Sequence, residues 1–146
     1  MSSIPATPPP VDAMVMLCDA AQVVDGKLYI LGGGIHVVGP RPQPLSVAIR
    51  IEVPWDRANI SHLWRLDLLD QDGHQVPSPE NPVHVGGRFE AGRPAGVRPG
   101  HPLAVPLAIN FATLPLEPGQ GYTWQLSIDE QTRLDWRTSF VVRTPA

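Results

Sequence analysis

Three stretches of the sequence carry residue types suited to a chemical site. Gly32-Gly33-Gly34 invites comparison with a phosphate-binding loop. Such a cradle needs a helix immediately after the glycines, so that free N–H groups meet the anion. Ile35-His36-Val37-Val38 follows instead, β-branched and strand-like, so the glycines predict a hairpin turn or bulge and no nucleotide site. Asp70-Gln71-Asp72-Gly73 resembles the start of a calcium loop, but the later oxygen ligands and the closing glutamate are missing. A hairpin turn accounts for it, and a cross-loop site built from Asp67, Asp70 and Asp72 has no further support. His36, His62, His74, His84 and His101 are scattered singly, with His62 and His84 as candidate strand neighbours and His74 at a turn. With one cysteine and no paired histidine spacing, no metal site is predicted.

The nucleophiles are equally sparse. Cys18 lies beside Met16 and Leu17 in the most apolar run, where a thiol is inert. Neither a Gly-x-Ser-x-Gly nor a Ser-x-x-Lys motif occurs, and the carboxylates sit mostly at turns. No catalytic residue, no cofactor and no enzymatic activity are predicted. Binding is better served. Trp55 follows a strand end beside Arg57 and Asn59, where an aromatic ring can stack on a sugar or a partner side chain. Arg88, Arg93, Arg98 and His101 form the one local excess of positive charge, on a long loop suited to an acidic partner. Trp64, Trp124 and Trp136 fall at core parity.

Such residues need a scaffold, and 18 prolines and 13 glycines punctuating apolar runs nearly exclude helix. Residues 1–12 read as a flexible, polyproline-prone tail, and 13–146 as one β-sandwich domain. Ala13 to Cys18 is apolar at both parities, as in a strand buried on both faces. Asp25-Gly26 predicts a tight hairpin turn. Leu45 to Val53 alternates cleanly, predicting a strand with Leu45, Val47, Ile49, Ile51 and Val53 inward and Ser46, Ala48, Arg50 and Glu52 outward. Residues 54–60 predict a turn or one short helical turn. Strands follow over His62–Leu69, Val83–Phe89 and Leu103–Phe111, where Pro106 demands an edge or a bulge. Tyr122 to Ile128 alternates, and Leu134, Trp136, Thr138, Phe140 and Val142 form the inward parity of a closing strand. Eight to ten short strands predict an all-β fold, a two-sheet antiparallel β-sandwich of immunoglobulin-like or jelly-roll-like type.

Met16-Leu17-Cys18-Asp19 with Gly26 to Gly34, Leu68 to Gly73, Gly92-Arg93-Pro94, Pro106 to Phe111 and Leu116 to Trp124 resemble a family of uncharacterised, largely actinobacterial proteins. The resemblance covers nearly the whole chain after the tail and implies no activity. Leu116-Glu117-Pro118-Gly119-Gln120-Gly121-Tyr122 also resembles the tyrosine corner of immunoglobulin-like accessory sandwich domains, some of them carbohydrate-binding.

A net charge of -3 and a pI near 5.9 argue against a nucleic-acid binder. One cysteine excludes an internal disulfide, and no apolar run is long enough for a signal sequence or a membrane span. The expected location is cytoplasmic. The expected role is a non-catalytic interaction or assembly module with a protein partner or a second copy of itself. A small-ligand or carbohydrate-binding domain using Trp55 is the alternative.

Overall fold

The computed structural model describes residues 11–78 and 82–146. It is all-β, with no α-helix among the described residues and a single 3-10 turn at Trp55–Arg57. Ten strands run in chain order: β1 (Asp12–Cys18), β2 (Ala20–Val24), β3 (Lys27–Leu31), β4 (Val37–Val38), β5 (Leu45–Val53), β6 (His62–Asp70), β7 (His84–Phe89), β8 (Leu103–Phe111), β9 (Gly121–Ile128) and β10 (Gln131–Val142). They make a three-stranded sheet in the order β1-β5-β8, a five-stranded sheet in the order β4-β10-β9-β6-β7, and a β2-β3 hairpin. All pairs are antiparallel except β4 with β10.

One apolar cluster draws on both larger sheets. Leu45, Val47, Ile49, Ile51 and Val53 of β5 join Leu66, Leu68, Trp124, Leu126, Trp136 and Phe140 of the larger sheet. Each fully buried aliphatic side chain contributes about 1.5–3 kcal/mol. Phe111 of β8 stacks on Trp124 of β9, ring centroids 4.9 Å apart, which ties the two sheets together.

The first half of β5 departs from its sequence pattern. Ser46 and Ala48, at outward parity, are buried. The β2-β3 hairpin covers them, and Cys18, Ala21 and Ala48 form a second small cluster with Leu28, Ile30 and Ala108. Ser46 Oγ is bonded to Asn110 Oδ1, so its burial leaves no orphan. The prediction for β1 is corrected in the opposite sense. It is an edge strand with Met14 exposed, and only Leu17 and Cys18 at its end are buried at both parities.

Turn chemistry accounts for the connections. Asp25 (φ 52°) and Gly26 (φ 72°) both take left-handed backbone, as a two-residue hairpin turn requires. Of the two expectations for the three glycines, a hairpin turn or a bulge, the hairpin is not what they form. They carry the chain from β3 to β4, which pairs with β10, and the N–H groups of Gly34 and Ile35 both donate to the Leu17 carbonyl. Gly32 is left-handed (φ 60°), and a Cβ on Gly33 would stand 2.6 Å from the Met16 sulfur. The expectations for Pro106 and for residues 54–60 hold: β8 is an edge strand, and the 3-10 turn is present.

Two details of the closing strands were not anticipated. β10 is irregular between Thr132 and Arg137, which swings Leu134 out to 80% exposure instead of inward. Gln125, at outward parity, is buried there, and its Nε2 donates to the carbonyls of Leu126 and Trp136 at 3.0 and 3.2 Å. Tyr122 is buried, and its hydroxyl accepts from the Glu117 N–H at 2.9 Å, the bond expected of a tyrosine corner. Tyr122→Phe orphans that N–H and is expected to cost about 1–2 kcal/mol in urea unfolding. A loss below the error of that measurement would show that the bond contributes no stability.

The first ten residues of the predicted tail lie outside the described residues, as does part of the predicted loop 77–82. Val11 is buried, and Asp12 already belongs to β1. No helix among the described residues is long and apolar enough to cross a membrane.

Candidate binding cleft

The end of β5 positions Trp55. Val53 is fully buried, Pro54 turns the chain, and the 3-10 turn places the indole half-buried against the core. Arg93 folds back from its loop onto this residue. Its guanidinium lies 4.7 Å from the indole centroid and donates through Nη2 to the Trp55 carbonyl at 2.9 Å. The two predicted binding residues are thus brought together, 38 positions apart in sequence.

Beside Trp55 opens a cleft of about 610 Å³, within the size range of small-molecule sites. Pro54, Trp55 and Pro102 supply apolar walls backed by the buried Val11 and Val53, and Asp12, Glu52, Asp56 and Arg133 supply charge. The other predicted residues do not join it. Arg57, Arg98 and His101 are exposed nearby in sequence, and only Gly100 and Pro102 of their loop reach the cleft wall. Arg88 lies on β7 opposite Leu63, beside a different charged pair. The cationic residues therefore do not form the wall of one pocket, and the carboxylates that do were not singled out from sequence. Asp12 and Asp56 are separated by 44 positions, so no local spacing signalled them.

The charged pair near Arg88 is His62 with Asp129, also invisible to motif reading. His62 is buried, stacks on Phe89 at 5.0 Å, and places Nδ1 2.7 Å from Asp129 Oδ2. Asp129 Oδ1 accepts the Leu63 N–H at 2.9 Å. Asp129 and Glu130 form the β9-β10 turn with φ of 51° and 66°, left-handed backbone without glycine. Such residues cost about 1 kcal/mol or more each, and the His62 and Leu63 bonds hold this turn in place. Burial pushes the Asp129 carboxyl up. The hydrogen bonds from His62 and Leu63, with the positive charges of His62 and Arg88, outweigh this and hold it below its ordinary value. His62 does not line the cleft beside Trp55, its Nε2 is buried without a partner among the described residues, and the pair fastens the turn.

A depressed carboxyl stabilises the fold above its unfolded value, about 3.9, and that contribution disappears as pH falls through the lower folded value. Asp129→Asn is therefore expected to be less stable than the parent at neutral pH. The difference should shrink below about pH 4. A difference that stays constant from pH 7 to 2 in urea titrations would refute the assignment.

His62 and His84 lie on the neighbouring strands β6 and β7 but are not cross-strand partners, since His62 pairs in register with Phe89 and His84 with Asp67. Asp67 is held by Arg65 (2.9 Å) and Gln75 (2.8 Å), and does not join Asp70. His74 takes that place: ligand atoms of Asp70, Asp72 and His74 lie within 4.8 Å of one another. Asp70 Oδ1 already accepts the N–H groups of Asp72 and His74, which is the hairpin-turn function predicted for this segment. Cys18 is fully buried, its thiol pushed up by burial and by the Asp19 charge, and it donates to the Ser46 carbonyl at 3.4 Å.

Residues 13–143 match the model of a protein family described as a family of unknown function, DUF6941. No curated protein and no solved structure matches the chain.

Proposed function

For a chain that belongs to DUF6941, a family of unknown function, we propose a non-catalytic interaction module that self-associates through the outer face of the β2-β3 hairpin. The observation that carries this reading is the exposure of Leu31 (71%) and Tyr29 (53%) on that face, with Val24 beside them. Ala21, Leu28 and Ile30 point the other way and are spent on covering β5 and β8. Ala20, Gln22, Val24, Lys27, Tyr29 and Leu31 share the outer parity, and Lys27 is its one charge. An apolar face with a single charge meets a second copy of itself across a two-fold axis with little like-charge repulsion.

Edge-to-edge strand addition is the weaker route. β8 carries Pro106, β7 contains Gly86-Gly87 and β4 has two residues, devices that blunt these three edges and leave β1 as the open one. The two larger sheets are read here as the layers of an immunoglobulin-like or jelly-roll-like sandwich, supported by their shared core and the Tyr122 bond. A cytoplasmic location and an actinobacterial source belong to the same proposal; the single lysine against an arginine-rich remainder fits a GC-rich genome.

Size-exclusion chromatography with light scattering across a dilution series tests self-association. A mass at a multiple of 15.9 kDa supports the reading, and a mass of one chain at every concentration rejects it.

A further inference from the structure

We infer that the cleft beside Trp55 is a second site, independent of the hairpin face, for a small organic cation with an aliphatic body. Its volume of about 610 Å³ suits a small molecule rather than an ion or a polypeptide. Its walls divide the ligand's requirements between them. Pro54 and Pro102, with Val11 and Val53 buried behind them, match an aliphatic body, and Trp55 adds an aromatic surface.

Charge selects the sign of the occupant. Three carboxylates line the cleft against one arginine, and the arginine is already engaged. Arg133 Nε lies 3.1 Å from Asp135, and its guanidinium lies over the Trp136 ring. Glu52 has a loose contact with Arg50 at 3.8 Å. Asp12 and Asp56 have no ion-pair partner among the described residues; Asp12 Oδ1 accepts only the Ala13 N–H. Two unneutralised carboxylates on an apolar concavity attract an ammonium or guanidinium group and repel an anion. The Trp55 ring already serves one cation, that of Arg93. Arg88 and Arg98, which suggested an acidic partner, lie outside this wall, and Arg93 stands at its edge on the Trp55 ring.

The test uses the full chain and three isosteric probes, n-hexylammonium, hexanol and hexanoate, followed in 1H–15N spectra. The Trp55 indole signal is assigned through Trp55→Phe. Hexylammonium is expected to shift that signal and the Asp56 amide saturably, and to bind about tenfold or more weaker in the double variant Asp12→Asn, Asp56→Asn. Raised salt should weaken it as well. Both substitutions fall at the surface, and the dispersion of the variant's spectrum confirms its fold. Equal binding of hexanol, preference for hexanoate, unchanged affinity in the double variant, or no saturable shift at Trp55 would each overturn the proposal.

Discussion

Leu31→Asp is expected to reduce the solution mass to that of one 15.9 kDa chain while leaving thermal stability nearly unchanged. The two halves of that result have separate causes. Leu31 is 71% exposed within its own chain, so its side chain contributes little to the monomer fold. A surface substitution of this kind stays within about 0.5 kcal/mol. Across a two-fold axis the same change brings two carboxylates into an apolar contact. Desolvation and like-charge repulsion together cost about 3 kcal/mol or more, two orders of magnitude in Kd. Leu134→Asp is the control, because Leu134 is still more exposed, at 80%, but lies on the irregular part of β10. It should leave the mass unchanged. Should Leu134→Asp produce the monomer and Leu31→Asp leave the oligomer intact, the interface belongs to β10 and the hairpin assignment fails.

The largest loss of stability is expected from Trp124→Ala. Trp124 is fully buried and carries the stacked contact with Phe111 that joins β9 to β8. Truncating a buried tryptophan to alanine costs about 3–5 kcal/mol through lost transfer energy and the cavity left behind. Part of that is returned, because the Trp124 Nε1 is buried without an acceptor and the substitution removes this orphan. Against a typical total of about 5–15 kcal/mol, the variant is left marginal. Urea unfolding followed by far-ultraviolet circular dichroism measures the change directly. Trp124→Phe, which keeps a ring against Phe111, should lose clearly less. A loss below about 1 kcal/mol for the alanine variant would mean that the two sheets do not depend on this contact.

The strand content was legible because period-2 patterns and turn residues are local signals. β6 and the second half of β5 follow their alternation, and Asp25-Gly26 and Asp72-Gly73 close hairpins as their chemistry dictates. What failed depends on contacts with distant chain. Ser46 and Ala48 read as outward because nothing near them in sequence announces that β2 and β3 cover that face. Leu134 reads as inward because the irregularity after Thr132 leaves no glycine or proline to mark it. The turn at Asp129-Glu130 is hidden for the same reason: it lacks glycine, and its support comes from His62 in another strand. At the cleft, aromatic character singled out Trp55, but its charge environment did not follow from its neighbours. Arg57 is adjacent in sequence and does not line the cleft, whereas Asp12 is remote and does.

The position of β10 sets the order in which the molecule can be completed. It is the last strand in sequence yet an interior strand of its sheet, with β9 on one side and β4 on the other. Val141 pairs with Val37, so β4 waits for most of the chain to be synthesised before its partner exists. A nascent chain that ends at Ile128 can pair β6 with β7 and β9, but it lacks Trp136, Phe140 and Val142 of the core. Such a chain presents an open edge on β9 and an incomplete apolar interior, the features that recruit chaperones or seed aggregation during translation. Pairings this distant also place folding toward the slow end for a chain of this size, roughly milliseconds to seconds. Release of β10 from the ribosome is then the event that closes the sheet, and deletion of its last turns of sequence removes the strand on which β4 is built.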